Sequence, residues 1–469
     1  MRTRPLPLCL LLFLALLLAG GRGTFAQTDG ILDVTFSGDG WDFWNPSFAT
    51  GVKVDDLAIR PDGQLAITGS VFAIANREAL SCLRPANGGG GTCVNLPFDL
   101  GGGNNNDGNA IAVQADNKMV LVGSAQGPAA DPVWVATVER MTAANGLDNS
   151  FNGGTGAFQL GSTYDVGAEA VTVAANKIYV AGSVGVNMGG GEVGSDFFVA
   201  VRKADGTPET AFSGDGWNTI GFDLGANGND YAEAVAVDPL GRVLEAGTAS
   251  DGTDIYFAVA RFTASGAYDG NWSGDGRQTV LVDLGGSGTL QFGGMAVDRF
   301  SRVVLAGVAP AASGKRLVVV RLTSAGALDA TFGGGDGVAD FSYTASNDLL
   351  SVVAVVPLSP PSDRIAIAGD YDPAGADPSD GFVFVLTAAG DLDATFNHTG
   401  KHAFAPASGD VWNHAQALAV QSGRLVVLGG YHPTTTSVNL AWLARLEVYL
   451  IFGDDFDAGH AGLWSAVVP

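Results

Sequence analysis

Short stretches of alternating hydrophobic and polar residues follow one another along most of this chain, separated by glycine, aspartate and proline. One region shows four of them, at 232–238 (AEAVAVD), 242–247 (RVLEAG), 255–263 (IYFAVARFT) and 277–284 (RQTVLVDL). A period of two with turn residues at both ends is typical of strands in an antiparallel meander. Beyond residue 26 no long segment has helical periodicity, so the pattern predicts an all-β protein.

The four-strand pattern recurs seven times, and each copy carries two marks. One is an aromatic anchor after a turn, and the other is a glycine that closes the second hydrophobic stretch. The anchors are Phe36, Phe98, Phe151, Phe212, Trp272, Phe332 and Phe396. The glycines are Gly69, Gly123, Gly182, Gly247, Gly307, Gly369 and Gly429. Neighbouring anchors are 53 (98 to 151) to 64 (332 to 396) residues apart, and a fixed period of this length indicates a repeat architecture.

The repeat predicts a seven-bladed β-propeller of four-stranded antiparallel blades, because such sheets bury both faces when they stack around an axis. A parallel β-helix is the rival architecture, but its repeat is shorter and lacks paired hairpins. The chain begins with a fourth strand near 40–43 and ends with a third strand at 439–447. We therefore expect the N-terminal strand to complete the seventh blade and to close one domain over residues 27–447.

Three segments carry a resemblance to a known family, namely 328–337 (LDATFGGGDG), 110–123 (AIAVQADNKMVLVG) and 196–202 (DFFVAVR). They resemble the delta-60 repeats of bacterial exported proteins, and the resemblance covers about residues 31–446. It implies an exported, propeller-like protein and no particular activity. Two places depart from the pattern. Residues 72–97 predict an irregular first blade, and Leu386-Thr387 stands where Arg-Leu is usual in blade six.

Residues 1–26 have the composition of a signal peptide, since Arg2 and Arg4 precede an apolar stretch at 8–19 and small residues at 24–26 suit cleavage. The apolar stretch is short for a membrane span. We expect an exported chain without a transmembrane anchor, with a retained anchor as the alternative. Export also favours a disulfide between Cys82 and Cys93, the alternative being two free buried thiols.

The last segment, 448–469, is expected to be a tail outside the propeller. Residues 451–469 resemble a C-terminal sorting or surface-retention segment of exported proteins from Gram-negative bacteria. The residues that match are Phe452, Asp454, Phe456, Gly459 and Trp464. The resemblance implies a secreted protein or one on the outer surface of a Gram-negative bacterium. An ordinary terminal strand is the alternative.

Acidic residues outnumber basic ones by 48 to 24, which gives a formal net charge of −24. Such a surface repels nucleic acid and anionic lipid, so we expect neither as a partner. Charged residues make up 15% of the chain and hydrophobic residues 46%. This balance indicates a folded protein rather than a disordered acidic one.

Ser-Gly-Asp-Gly turns recur at 37–40, 213–216 and 273–276, with a related turn at 334–337. Asp-Gly suits tight turns, because glycine accepts positive φ and aspartate bonds its own backbone. Turn formation is therefore the favoured interpretation of these aspartates. We expect no cofactor, and Ca²⁺ stays open because it binds through oxygen ligands.

Histidines and arginines are two further residue types to consider as candidate site residues. His414 and His432 stand at neighbouring ends of one predicted hairpin and are weak candidates for a metal site, with solvated side chains as the simpler interpretation. Arginines recur in the third strands and are expected to bind the turn that carries the aromatic anchor (the anchor turn), with the lining of a binding surface as the alternative role. These are Arg140, Arg202, Arg261, Arg321 and Arg445. The sequence has no nucleophile elbow, phosphate loop or Ser-His-Asp motif.

A full scaffold without a recognisable catalytic grouping favours an exported, non-enzymatic, monomeric propeller that binds a protein or a glycan, or that serves as a surface scaffold. The alternative function is a metal-dependent propeller hydrolase or lyase, for which the acidic charge and the late histidines are the motives.

Overall fold

The computed structural model describes residues 30–46, 51–72, 77–96, 106–126, 134–153, 157–160, 166–189, 192–225, 228–342, 349–358, 363–371, 379–404, 411–433 and 440–448. Within these ranges the chain forms seven four-stranded antiparallel sheets. Together they form a seven-bladed β-propeller, so the predicted fold is confirmed. A short 3-10 turn at Phe151–Gly153 is the one helical segment of these ranges. No described helix is long and apolar enough to cross a lipid bilayer.

The strands of each blade follow one another in the chain. Blade one contains β2 (Gly51–Ile59), β3 (Leu65–Phe72), β4 (Arg77–Arg84) and β5 (Thr92–Leu96). Blade two contains β6 (Asn106–Val113), β7 (Met119–Gln126), β8 (Trp134–Met141) and β9 (Ala157–Leu160). Blade three contains β10 (Val166–Ala174), β11 (Lys177–Gly189), β12 (Glu192–Lys203) and β13 (Trp217–Ile220). Blade four contains β14 (Asp230–Val237), β15 (Val243–Ser250), β16 (Ile255–Phe262) and β17 (Arg277–Val280).

The remaining blades repeat this order, except that the last one takes its outer strand from the start of the chain. Blade five contains β18 (Gln291–Val297), β19 (Val303–Pro310), β20 (Lys315–Leu322) and β21 (Val338–Phe341). Blade six contains β22 (Leu349–Leu358), β23 (Arg364–Tyr371), β24 (Asp380–Leu386) and β25 (Lys401–Phe404). Blade seven contains β26 (Val411–Gln421), β27 (Arg424–Pro433), β28 (Leu440–Glu447) and β1 (Trp41–Trp44).

Ring closure follows the prediction. Strand β1 pairs antiparallel with β28, with Trp41 opposite Ala444 and Trp44 opposite Ala441. A further bridge joins Leu32 to Leu446. The N-terminal strand is therefore the fourth strand of blade seven, and the ring is complete without residues 451–469.

The hydrophobic core lies between neighbouring blades rather than inside any one of them. The cluster between blades three and four, for example, joins Phe197 and Val199 of β12 to Val243 of β15 and Ala258 of β16. Six of the seven predicted anchors are buried in these layers with at most 1% exposure. These six are Phe36, Phe151, Phe212, Trp272, Phe332 and Phe396. Phe98 lies outside the described residues.

A recurring ion pair holds four of these anchors. In blades two, four and five the third-strand arginine stands eight positions before the first aspartate of the anchor turn, and its Nε donates to Oδ2 of that aspartate; in blade seven Arg445 pairs in the same way with Asp33. The distances are 2.9 Å for Arg140–Asp148, 2.9 Å for Arg261–Asp269 and 2.7 Å for Arg321–Asp329. Arg321 also lies over the Phe332 ring, 4.5 Å from its centroid. It also donates through Nη1 to the carbonyl of Ala388 in the next blade's turn. The predicted structural role of these arginines is confirmed, and they join neighbouring blades as well as anchoring turns.

Arg202 does not occupy the equivalent position in blade three. Val201, not Arg202, bonds the backbone of the anchor turn, through a hydrogen bond from the Glu209 amide to its carbonyl. That bond is the equivalent of the one from the Asp269 amide to the Arg261 carbonyl. Blade three therefore has valine at the arginine position, and its cation comes from the second strand, where Lys177 Nζ lies 3.2 Å from Glu209 Oε2.

Blade six uses the same substitution. The amide of Asp393 donates to the carbonyl of Val385, so Val385 occupies the arginine position, and Leu386 corresponds to the residue after it. The place of the departure predicted from Leu386-Thr387 was therefore off by one residue. Arg364, which begins the second strand of this blade as Lys177 does in blade three, pairs with Asp393 at 2.5 Å.

The third strand of blade one is regularly paired, which corrects part of the expectation for residues 72–97, but its connection to the fourth strand has seven residues (85–91) against fourteen (263–276) in blade four. Strands β4 and β5 pair antiparallel, with Cys82 directly opposite Cys93. These two cysteines form a disulfide, as predicted. The glycines at 88–91 form the turn between β4 and β5, all four with positive φ. Glycine has low strain at such angles, so the run shapes a tight turn and leaves the strands intact.

The first strands of the seven blades contact one another around the axis, and each contains a β-bulge at the same place. In blade two the register of β6 against β7 shifts between Gly108 and Ala110, which leaves Asn109 as the extra residue. The recurring glycine explains the bulge, because Gly123 lies opposite Gly108, where an added Cβ would collide with the carbonyl oxygen of Asp107. One of the two sequence marks is thus the residue that permits the bulge.

Candidate binding site at the mouth of the axial channel

Seven bulges place seven residues around the ring axis. The bulged residues are Asp55, Asn109, Glu169, Glu233, Gly293, Val353 and Gln416. The first strands of all seven blades line an axial cavity of about 280 Å³, and every bulged residue except Val353 takes part in the lining. The Val353 side chain lies outside the described residues. The wall of this channel is therefore built from one structural position repeated in successive blades.

The channel wall is acidic on one side. Blades one, three and four contribute carboxylates through Asp55, Glu169 and Glu233, whereas blade two contributes the amide of Asn109. Asn109 Nδ2 donates to Glu169 Oε2 at 3.1 Å and to the carbonyl of Ala168 at 3.0 Å. The neighbouring carboxylates therefore belong to different blades, and their proximity depends on how the blades stack.

Burial shifts the protonation of these groups. Burial raises the pKa of Glu233 to about 7, and the nearby charge of Glu169 adds to the effect. Burial also raises the pKa of Glu169, with Asp107 and Asp55 adding to it against the opposing charge of Lys53. Both side chains are exposed to the channel, so a positive partner can reach two neighbouring carboxylates, and this side of the channel favours a cation.

The acidic side opens into a larger basin. A cavity of about 570 Å³ lies at the junction of blades two, three and four and shares Glu169 and Glu233 with the channel. Aromatic rings of Trp134 and Tyr231 line it, and Tyr231 is 48% exposed. We call this cavity the mouth basin. Its size and its mixture of aromatic and polar groups are those of a ligand site.

Hydroxyl groups supply further contacts in the mouth basin. Ser183, Ser195 and Thr248 line it, and Ser183 Oγ accepts a hydrogen bond from the Ala232 amide at 3.1 Å. Ser195 is only 9% exposed, and its Oγ has no hydrogen-bond partner among the described residues. A buried hydroxyl without a partner is costly, which indicates that a further group completes it.

The predicted histidine pair stays a prediction, because the structure describes the side chain of His414 but not that of His432. The backbone of His414 pairs with Gly430, and that of His432 pairs with Trp412. His414 Nδ1 lies 3.1 Å from Asp370 Oδ2 of blade six and 3.5 Å from Ser379 Oγ. The His432 side chain lies outside the described residues. Among the described side chains no group of three or more His, Cys, Asp or Glu is placed to hold a metal ion.

The acidic residues of the basin were not identified from the sequence as a site, although a signal exists. Six of the seven bulged residues stand immediately before the small residue that starts the alternating core of a first strand, as in Glu169-Ala170 and Glu233-Ala234, whereas Asp55 stands before Asp56. A polar residue at that position in consecutive repeats marks the channel wall. The chain alone does not reveal that two of them share a cavity with Ser195.

Comparisons with known proteins give no match in sequence and only structural likenesses at low identity. No protein-family model matches the chain, and no curated protein matches it in sequence. Among solved structures it is similar to polysaccharide lyase Uly1, at 12% identity and TM-score 0.47 over 87% of this chain and 91% of that one. It is also similar to the β-propeller domain of the Trilobed protease from Pyrococcus furiosus, at 8% identity and TM-score 0.43 over 87% and 100% of the two chains. A third similar structure is Trypanosoma rangeli sialidase, at 8% identity and TM-score 0.41 over 91% of this chain and 59% of that one. At these values the likenesses carry no argument about what this chain binds or does.

Proposed function

We propose that this chain is an exported binding protein that holds its ligand in the mouth basin. The observation that carries the proposal is the basin itself, in which aromatic rings, two carboxylates and the unpartnered Ser195 hydroxyl line one cavity of about 570 Å³. Convergent polar groups in a well-formed cavity are the usual mark of a ligand site. The seven blades then act as a rigid frame that positions residues from three repeats.

Export is supported by independent features of the chain. The Cys82–Cys93 disulfide suits an oxidising compartment. Residues 1–26 have signal-peptide composition, and residues 451–469 resemble a sorting segment. Both segments lie outside the described residues, so their roles stay proposals based on sequence.

A bulky side chain introduced into the basin tests whether the ligand binds there. Thr248 lines the basin, and Thr248→Trp should remove binding to whichever ligands the wild-type protein selects from arrays of glycans and of peptides. Leu240→Trp is the matched control, because Leu240 lies in a turn, is 71% exposed and does not line the basin. Ligands that bind both variants equally well would place the binding site elsewhere and overturn the proposal.

The tail is tested by truncation after Leu450 in the native host. Since β1 already completes blade seven, the shortened protein should melt within a few degrees of the full chain but should not reach its normal location. A truncated protein that localises normally would remove the sorting role. A loss of several kcal/mol of stability would instead assign the tail to the fold.

A hydrolase or lyase is the second candidate, and one observation favours it. Glu169 and Glu233 share the basin, and carboxylates whose pKa is raised towards neutrality act as acids and bases in catalysis. A substrate screen with the wild-type protein and Glu233→Gln tests it. Turnover that the substitution abolishes while binding persists would favour an enzyme, and metal analysis of the active protein would show whether an ion takes part.

A further inference from the structure

The mouth basin has an unbalanced charge. Among the described residues its lining includes Glu169 and Glu233 and no lysine or arginine. Asp107 and Asp55 act on Glu169 from outside the cavity. The basic group that acts on Glu169, Lys53, already pairs with Asp55 at 2.5 Å. A positive ligand would thus meet two carboxylates without displacing a basic side chain of the basin.

Neutral acceptors complete the polar side of the cavity. The buried Ser195 Oγ has no partner in the described part of the chain, and Asn229 lines the basin beside it, forming a parallel bridge with Ser195. An ammonium group has three donors and no acceptor. Two carboxylates together with hydroxyl and amide oxygens therefore match its requirements.

The size of the basin and its aromatic rings indicate an organic cation rather than a bare ion. A cavity of about 570 Å³ has room for many non-hydrogen atoms, since one water occupies only about 30 Å³ of liquid volume. The rings of Trp134 and Tyr231 offer apolar surface for methylene groups and a negative face for a cation. A carbon chain that ends in a charged amine uses both features.

We infer that the mouth basin binds a protonated alkylamine, with its ammonium group between Glu169 and Glu233 and its methylene chain against Tyr231. This inference rests on the proposed binding function and specifies its ligand class. Two sources carry the same chemistry, a free polyamine and the lysine side chain of a partner protein. The long-range attraction from the net charge of −24 would speed association with either source.

Calorimetric titration of the full exported chain tests the inference, with spermidine and an end-capped tri-lysine peptide as amine probes and chitotriose as a neutral probe. We expect an amine to bind and chitotriose not to bind. Glu233→Gln should weaken amine binding at least about tenfold, since one charged contact is lost. Ser195→Ala should weaken it by a smaller factor. Asp283→Asn is the matched control, because it removes one exposed charge outside the basin and should change affinity less than about twofold.

The results of these titrations distinguish the possible ligands and test the inference. Spermidine binding alone would identify a free polyamine as the ligand class, and tighter peptide binding would identify a partner's lysine. Equal losses in Glu233→Gln and Asp283→Asn would show unspecific attraction and overturn the inference. Glu169→Gln serves the same comparison if Glu233→Gln does not fold. If chitotriose bound and Thr248→Trp abolished that binding, the inferred amine ligand would be wrong but the proposed binding function would stand. If the array ligands bound Thr248→Trp as well as they bind the wild-type protein, both the inference and the proposed function would be overturned.

Discussion

Arg445 and Asp33 are 412 positions apart in the chain, yet Nε of the arginine donates to Oδ2 of the aspartate at 2.7 Å. The pair has the same geometry as the local pairs Arg261–Asp269 and Arg321–Asp329, each of which spans eight positions. Arg445 also lies over the Phe36 ring, 4.9 Å from its centroid. The two ends of the described chain are thus joined by the contact that elsewhere connects a strand to its own turn.

This relationship predicts different consequences for identical substitutions. Asp33→Asn and Asp329→Asn should each cost about 3 kcal/mol, because each leaves a buried arginine with weaker compensation. Only Asp33→Asn should also release β1, since Asp329 is held by continuous chain on both sides. Limited proteolysis with mass spectrometry would show cleavage near residues 41–44 in the first variant alone. Equal protease resistance would show that the pair does not help to close the ring.

In blade six we expect a second substitution to restore stability that a first one removes. Arg364→Ala should destabilise the protein by about 3 kcal/mol, because Asp393 loses its cation. A second substitution, Val385→Arg, puts arginine at the position that it occupies in blades two, four, five and seven, and should recover at least half of the loss. Chemical denaturation of the two variants measures this. A double variant that is less stable than Arg364→Ala would show that the two cation positions are not equivalent.

The disulfide should stabilise blade one. Replacing Cys82 and Cys93 together with serine removes a cross-link between residues 11 positions apart, and the expected loss is about 2–4 kcal/mol. Thermal melting of the variant, and of the wild-type protein with reductant, measures the loss. In unreduced, denatured wild-type protein an alkylating reagent should find no thiol on these cysteines, and two modified thiols would contradict the bond.

Glu139 predicts a pH dependence of stability. Burial in the third strand of blade two raises its pKa to about 8, above the 4.5 of an exposed glutamate. Below pH 4.5 both the folded and the unfolded states hold the proton, so there is no penalty. As the pH rises towards 8 the unfolded state ionises first, and the folded state loses stability by at most about 5 kcal/mol. Glu139→Gln should therefore gain stability over the wild-type protein as the pH rises through this window.

Asp148 provides a comparison of opposite sign. Burial opposes its ionisation, but hydrogen bonds from Ser150 and Lys118 and the charge of Arg140 hold its pKa well below the usual value. Its contribution to stability is present above about pH 4 and is lost as the pH falls. Denaturation of Asp148→Asn should thus show its largest deficit at neutral pH. If the free energy of unfolding changed with pH in the same way for the wild-type protein, Glu139→Gln and Asp148→Asn, the assigned pKa shifts would be contradicted.

The sequence alone was enough to predict the number of blades, the strands of each blade, the closure by β1 and the pairing of Cys82 with Cys93. These features depend on local chemistry, namely alternation with a period of two, turns built on glycine and aspartate, and a repeat of about sixty residues. The prediction for blade one was wrong about its third strand, because the glycine run looked like an interruption of that strand, whereas it lies in the short connection to the fourth strand. The export signal and the tail stay predictions from sequence.

The tertiary structure decided the contacts between repeats. The arginine of blade three was misplaced because a one-residue change of register turns a side chain to the other face of the strand, and Arg202 and Val201 are indistinguishable by period alone. Glu169 and Glu233 are 64 positions apart (233 − 169) and share a cavity only because a bulge in each first strand turns them to the axis and two blades stack side by side. Desolvation and the neighbouring charges within the channel then raise the pKa of both carboxyl groups, which is a property of the packed ring and not of either repeat.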